Sequence, residues 1–321
     1  MPVEVVEPGF LTTIQDLGRW GYVDLGIPVS GAMDPFALMA GNALVGNPLG
    51  SAGLEITVRG PVLEFTEGCV IAMTGGDLGP RINGWEIEGW KAHLVRPRSL
   101  LEFAGRRSGA RAYLAISGGV RVQSWLGSLS TYLTGEAGGL EGRALRTGDR
   151  LALGDSKVSL FSMGRSTLPQ ARRLPYSSEP LVRVILGPHA DRFTEAGISS
   201  FLDSSYEISF NSNRMGYRLQ GPRIAHVKGA DASSCGIPCG GIQVPGNGQP
   251  IILMADHQIT GGYTMIATVI QADIPLVAQC LPGDRLRFRV TDFQEARDSL
   301  RWQMESIHLV EEWHQDSPWL G

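Results

Sequence analysis

Residues 236–263 read Gly236-Ile237-Pro238-Cys239-Gly240-Gly241-Ile242-Gln243-Val244-Pro245, then Gly246-Asn247-Gly248-Gln249-Pro250, then an apolar run over 251–255, then Asp256-His257-Gln258-Ile259-Thr260-Gly261-Gly262-Tyr263. Two glycine-rich turns flank a segment of strand length. Gln243, Asp256, Gln258, Thr260 and Tyr263 lie at its rims. Glycine tolerates positive φ and close backbone approach. A short apolar strand with a carboxylate, amides and a phenol at its ends has the layout of a site on a rigid β scaffold. The same residues also suit two ordinary tight hairpins. The stretch therefore establishes β structure and nominates chemistry without assigning it.

Working outward, the N-terminus alternates Val3 and Val5 before a Pro8-Gly9 turn, which predicts an edge strand and a hairpin. Residues 12–21 are polar, aromatic and glycine-punctuated, and read as a loop. Asp34-Pro35 is a helix start, an N-cap acid followed by proline at the first helical position. That helix ends near Gly46-Asn47-Pro48. Short strands follow at 54–58, 62–65, 70–73, 92–95, 100–103 and 112–116, a pattern that argues for a barrel or sandwich. Residues 125–146 are loop-like, and 151–153 and 158–161 read as closing strands of a first unit over 1–165. Residues 166–179 read as a linker to a second unit over 180–321. In that unit the patterns predict a strand at 181–186, a helix at 191–201, strands at 206–210, 217–219, 264–270, 276–280 and 286–290, and a C-terminal helix. Asp292 caps this helix, with Glu295 at capping-box spacing and an apolar stripe of Phe293, Ala296, Leu300, Met304 and Ile307. Gly148-Asp149-Arg150-Leu151 recurs as Gly283-Asp284-Arg285-Leu286, a weak internal echo. The fold class read from these patterns is mainly β, in two units with a few short helices.

The 321 residues are more than one ordinary domain needs. At 43% hydrophobic and 19% charged the chain can bury real cores. The net charge of -4 and the lack of a basic stripe argue against nucleic acid. Cys69, Cys235, Cys239 and Cys280 lack zinc or redox spacing and read as reduced thiols. Glu4, Glu7 and Pro8 interrupt any signal-like N-terminus, and no apolar run reaches membrane-spanning length, so a cytoplasmic location away from membranes is expected. The six scattered histidines argue against a metal site. No phosphate-binding Gly-x-x-x-x-Gly-Lys loop occurs, and Lys91, Lys157 and Lys228 are the only lysines. No Met-Lys-Met occurs either, so no biotin is expected on this chain. ATP or biotin chemistry would come from another polypeptide.

The block Gly241-Ile242-Gln243-Val244-Pro245 with Gly248-Gln249-Pro250, followed by Asp256, Gln258 and Thr260-Gly261-Gly262-Tyr263, resembles the family of 5-oxoprolinase C subunits, also called the KipA, allophanate hydrolase subunit 2-like or biotin-dependent carboxyltransferase family. The resemblance extends through 13–19, 26–34, 43–47, 54–57, 60–61, 214–219, 278–279 and 282–284. It implies two cyclophilin-like β-barrel units. It also implies two partners, the KipI-like B subunit of 5-oxoprolinase together with its A subunit, with ATP bound with or by a partner. The implied reaction is opening of 5-oxoproline to L-glutamate. His257 stands where the family usually has arginine or lysine, and Ile259 where threonine is common.

A lactam or urea-type amide is flat, neutral and unreactive. It needs acceptors for its N–H, donors for its C=O and positioning of a co-substrate. Asp256 is the candidate acceptor or base. Gln258 and Gln243 are candidates to orient the amide. Tyr263 is a candidate oxyanion donor, and Arg214 a clamp for an anion. Thr260, Gln15, Asp16 and Asp34 complete the substrate-binding set, although Asp34 also suits a plain helix cap. Ser128, Ser130 and Thr131 line a loop. Three functions follow from the resemblance: the 5-oxoprolinase component, a carboxyltransferase served by a separate biotin carrier, and a non-enzymatic antagonist that binds a KipI-like inhibitor of a kinase.

Overall fold

The structure, a computed structural model, describes residues 2–156 and 166–315, and the chain divides into two units. The first comprises the chain up to Arg19, Ser30–Pro175 and the chain from Trp302 onward; the second comprises Trp20–Val29 and Tyr176–Arg301. The expected strand 158–161 lies outside the described residues.

The first unit is built from β1 (Pro2–Glu7), β2 (Leu11–Gln15), α1 (Pro35–Leu44), β3 (Gly53–Thr57), β4 (Val62–Phe65), β5 (Cys69–Asp77), β6 (Pro80–Ile82), β7 (Trp85–Glu86), β8 (Ala92–Val95), β9 (Ser99–Phe103), β10 (Ser108–Ile116), β11 (Val120–Arg121) and β12 (Arg150–Leu153). They form a seven-stranded sheet in the order β11-β12-β1-β4-β9-β6-β7 and a five-stranded sheet in the order β2-β3-β10-β5-β8. Val3, Val5, Leu63, Phe65 and Leu101 of the first sheet share one core with Ile14, Leu54, Ile56, Ile71 and Leu114 of the second. α1 packs on β5 and β10. That contact explains why β10 is buried from Ala110 to Ile116 rather than alternating in and out.

Asp34 starts α1 as expected: its carboxylate accepts the Ala37 N–H at 2.9 Å. The Asp34 N–H donates to the Tyr113 hydroxyl at 2.8 Å, and that hydroxyl donates to Glu55 at 2.7 Å. Met33 N–H reaches the same Glu55 oxygen at 2.8 Å. Burial, followed by the Glu55 charge, holds the Tyr113 phenol well above its ordinary pKa. The helix is thus tied to β3 and β10 through one buried network.

The second unit contains β13 (Leu181–Leu186), α2 (Glu195–Asp203), β14 (Tyr206–Ile208), β15 (Gly216–Gln220), β16 (Asp231–Gly236), β17 (Gly241–Gln243), β18 (Ile251–Leu253), β19 (Thr260–Tyr263), β20 (Met265–Val269), α3 (Ile274–Ala278) and β21 (Arg285–Val290), with α4 (Phe293–Gln315) beginning in it. Seven strands close into a barrel, β13-β20-β17-β18-β15-β14-β21, sealed by the parallel pair β13–β21. β16 and β19 form a separate two-stranded ribbon. The mainly β expectation and the C-terminal helix are present, and of the two expected barrels the one in the second unit closes among the described residues.

Several expectations change. β1 is an inner strand, paired to both β12 and β4, and β2 lies in the other sheet, so the two form no hairpin. Residues 11–15, expected mostly as loop, are β2, and Thr12, Thr13 and Gln15 are buried there despite being polar. Residues 276–280, expected as a strand, lie mostly in α3, with Pro275 in its first turn. Short apolar runs suit either element, and here proline's fixed φ favours the helical start. α2 begins at Glu195, after a 3-10 turn, rather than at 191. Asp292 caps α4 by accepting the Glu295 N–H at 2.8 Å, but the Glu295 carboxylate meets Arg289 and Thr291 instead of closing a capping box. Phe293 is exposed and does not belong to the buried stripe.

The Gly-Asp-Arg echo is real in structure. In each unit the glycine is left-handed, at φ 88 for Gly148 and 91 for Gly283. The aspartate carboxylate accepts the N–H three residues back, Arg146 at 2.7 Å and Leu281 at 2.8 Å. Each glycine N–H then donates to a strand carbonyl, Val5 or Ile208. Both units launch a strand, β12 and β21, from the same turn.

Loss of the α1 cap should be measurable. Asp34→Ala is expected to lower unfolding free energy by about 1–2 kcal/mol, and Asp34→Ser to restore most of it. Urea denaturation of the three proteins checks this.

Candidate functional site

In the barrel, β15 and β18 are antiparallel partners, so the turn before β15 meets the turn after β18. Asp256 N–H donates to the Arg214 carbonyl at 2.9 Å. The side chains then pair bidentately, Arg214 Nε to Asp256 Oδ2 at 2.8 Å and Nη2 to Oδ1 at 3.1 Å. Both are buried. The candidate base and the candidate anion clamp therefore hold each other. The geometry makes the pair a strut between two turns.

Gln243 is buried on β17, and its Nε2 lies 3.4 Å from the Tyr263 carbonyl. Its amide lies over Gly261, where a Cβ would come within 2.7 Å of Nε2 and 2.4 Å of Ile237 Cδ1, so a larger residue there would require both side chains to shift. Gln258, Thr260 and Tyr263 are exposed along the β19 ribbon and the turn before it. Sequence reasoning gave the neighbouring histidines no place in the candidate site. The His257 ring is buried with Nδ1 2.7 Å from the Gln258 carbonyl, and His226 Nε2 lies 3.0 Å from both the Val244 carbonyl and Thr264 Oγ1. Burial lowers the pKa of both, as it does for His93 in the first unit.

In the first unit the end of β2 meets the loop 128–131. Asp16 organises the contact. Its Oδ1 accepts from Gly18 N–H at 2.8 Å, Ser128 Oγ at 2.7 Å and Ser130 Oγ at 2.5 Å, and its Oδ2 from Leu129 N–H at 2.6 Å. Three of these four donors come from a loop more than a hundred residues away in sequence and fix it to one buried carboxylate. Arg19, also buried, donates to the Ser130 carbonyl and lies over the Trp125 ring, 4.7 Å from its centroid. Gln15 is fully buried, and its Nε2 donates to Thr13 Oγ1 at 3.0 Å and to the Thr131 carbonyl at 3.1 Å. Its Oε1 has no partner among the described residues, and neither does the buried Ser30 Oγ. A buried orphan of this kind costs about 1–3 kcal/mol.

Gln15, Asp16 and the loop serines and threonine therefore meet in the first unit; Arg214, Asp256 and Gln243 are placed by the barrel of the second; and Asp34 is engaged by the α1 cap network. Arg19 stands in sequence only as part of a loop. Its burial has no local signal, because its partners lie at 125 and 130. Among the described residues no group of three or more His, Cys, Asp or Glu side chains is arranged to hold a metal ion, and no helix is long and apolar enough to cross a membrane.

The Arg214–Asp256 strut carries a stability prediction. Asp256→Asn or Arg214→Gln should each destabilise by about 3 kcal/mol, because each removes the bidentate partner of a buried charge, while Arg214→Met with Asp256→Leu should recover most of the loss. Chemical denaturation of the single and double variants measures it. The histidines predict the pH response. Their folded pKa values lie below the unfolded value of about 6.5, so protonation favours unfolding. Their contribution is complete above pH ~6.5 and lost as pH falls below it. The urea midpoint should therefore drop as the pH is taken from well above that value to well below it, and the drop should shrink in His257→Gln.

Residues 25–290 match the family described as carboxyltransferase domain, subdomain A and B. The chain is 38% identical to the C subunit of 5-oxoprolinase from Escherichia coli over 92% of this chain and 93% of that protein. It is 33% identical to the corresponding Haemophilus influenzae C subunit over 92% of this chain and 93% of that one. Among solved structures it is similar to Kluyveromyces lactis urea amidolyase, with a TM-score of 0.91 and 33% identity over 97% of this chain but only 20% of that one. The K. lactis urea carboxylase matches with the same TM-score and identity over 29% of its length. The chain belongs to the carboxyltransferase domain, subdomain A and B, family, alongside the C subunit of 5-oxoprolinase as well as the matching part of urea carboxylase.

Proposed function

We propose that the chain is the C subunit of an ATP-dependent 5-oxoprolinase, a lactam hydrolase that opens 5-oxoproline to L-glutamate together with its A and B subunits. The observation that carries this reading is the end-to-end match to the E. coli protein, which spans nearly all of both chains. The chemistry of the buried groups supports it. The lactam group is neutral, and burying that group against uncharged donors and acceptors avoids the desolvation cost of a charged pocket around it. Gln15 and Ser30, two buried side chains with spare hydrogen-bonding capacity, are uncharged. Two buried carboxylates, Asp16 and Asp256, are instead engaged in holding loops in place.

ATP is assigned to a partner or to a site made jointly with one. This chain offers three lysines and no glycine-rich loop that ends in lysine, so a triphosphate lacks its usual cradle here. The division of labour is that this chain recognises and orients the amide, while its partners supply nucleotide-driven activation. The cytoplasm is the corresponding location.

A second reading, carboxyl transfer to a urea-like acceptor from a separate biotin carrier, is favoured by the likeness to urea carboxylase. Co-expression with the two partner subunits separates the readings. Coupled consumption of ATP and 5-oxoproline without biotin is the expected result. Activity that emerges only with a biotinylated carrier and bicarbonate would replace the first reading with the second. Full function as a partner-binding antagonist, with no turnover of either kind, would remove both.

A further inference from the structure

The orientation of Gln15 is forced. Its amide faces the Thr131 carbonyl at 3.1 Å, and a carbonyl oxygen only accepts, so the NH2 group must lie on that side. Oε1 then points the other way, fully buried and without a partner among the described residues. Thr131 is itself fixed, with both its N–H and its Oγ1 on the Ile14 carbonyl. Gln15 therefore cannot turn to satisfy its oxygen without abandoning two hydrogen bonds. Ser30 is the second orphan. It is buried, its hydroxyl has no partner among the described residues, and its backbone is left-handed at φ 56, an uncommon conformation for serine. The two are linked through the backbone. Ala32 N–H donates to the Asp16 carbonyl at 2.9 Å, and Gly31 packs on Leu17 and Gly18 so closely that a Cβ there would meet Gly18 N at 2.8 Å. Asp16 and the loop 128–131 lock the β2 end of this arrangement. Buried polar atoms are nearly always paired, so two unpaired ones on adjacent segments call for a partner that the described residues do not supply.

We propose that Gln15 and Ser30 form the amide-recognition wall of this unit, with Gln15 Oε1 accepting a ligand N–H and Ser30 Oγ bonding a second polar group of the same neutral, planar amide. The arrangement selects N–H-bearing amides. A ligand methylated at nitrogen would leave Oε1 buried and unpaired, and a carboxylate placed there would face an acceptor. The identity of the ligand as a lactam rests on the function proposed above; the requirement for an N–H does not.

The test is binding by calorimetry to the chain, alone and co-purified with its two partner subunits, using 5-oxoproline and 2-pyrrolidone with their N-methyl counterparts, and urea with tetramethylurea. Wild-type protein should prefer an N–H amide over its N-methyl counterpart by about tenfold or more, the loss expected when one buried acceptor goes unpaired. Gln15→Met, similar in volume but unable to accept strongly, should erase that preference by weakening the N–H ligand and leaving the N-methyl ligand unchanged. Ser30→Ala should weaken both ligands, and it should do so with an unchanged unfolding midpoint. If Gln15→Met does not fold, Gln15→Leu supplies the same comparison. A preference for urea over 5-oxoproline that still depends on Gln15 would overturn the lactam assignment and support the wall. Equal weakening of N–H and N-methyl ligands by Gln15→Met, no amide binding in either preparation, or an ordered water only on Gln15 Oε1 in a ligand-saturated crystal would overturn the wall itself.

Discussion

The carboxylate of Asp16 is the constraint on which the first unit's chemistry depends. A buried carboxylate must be matched by donors, because its desolvation is otherwise prohibitive. Four are present, from Gly18, Ser128, Leu129 and Ser130. In meeting that requirement the protein pins an irregular loop against the end of β2. The loop then presents the Thr131 carbonyl to Gln15, and the carbonyl sets the amide's orientation. Arg19 adds a second tie to Ser130 and stacks on Trp125. The chemical consequence of all this bonding is small and local: an amide oxygen and a hydroxyl left without partners among the described residues.

The second unit solves a parallel problem differently. Its loops are held by a bidentate arginine–carboxylate pair and by Asp273, which takes the Arg183 N–H at 2.7 Å and the guanidinium at 2.6 Å. These pairs join turns and helix starts to barrel strands. They explain why the richest polar motif of the sequence, 236–263, is in large part architecture. Asp256 closes a strut, Gln243 packs over Gly261, and the ribbon β16–β19 displays Thr260 and Tyr263 to solvent.

Much of the fold is legible in sequence where the signal is local. Asp34-Pro35 announces α1 because cap and proline act within one turn. The repeated Gly-Asp-Arg turn is visible because its hydrogen bonds span three residues. The strands at 62–65, 92–95 and 181–186 follow from short apolar runs between turn residues. What stays hidden is long-range. Nothing near Asp16 reveals that Ser128 and Ser130 will meet it, and nothing near Arg214 reveals Asp256. Polar strand residues such as Thr13 and Gln15 read as loop because their burial is set by distant partners. The run 276–280 fails for the opposite reason: it is short, apolar and compatible with either element until Pro275 is weighed.

On the proposed reading the first unit takes an amide-recognition role, shaped by a buried oxygen and hydroxyl without partners among the described residues, in a chain of the carboxyltransferase domain, subdomain A and B, family. The most direct measurement is a crystal structure of the chain with its co-expressed partner subunits, saturated with 5-oxoproline. The account predicts ligand density with its ring N–H within hydrogen-bond distance of Gln15 Oε1 and a second contact to Ser30 Oγ. Ligand bound elsewhere, with Gln15 and Ser30 contacting only water, would contradict it.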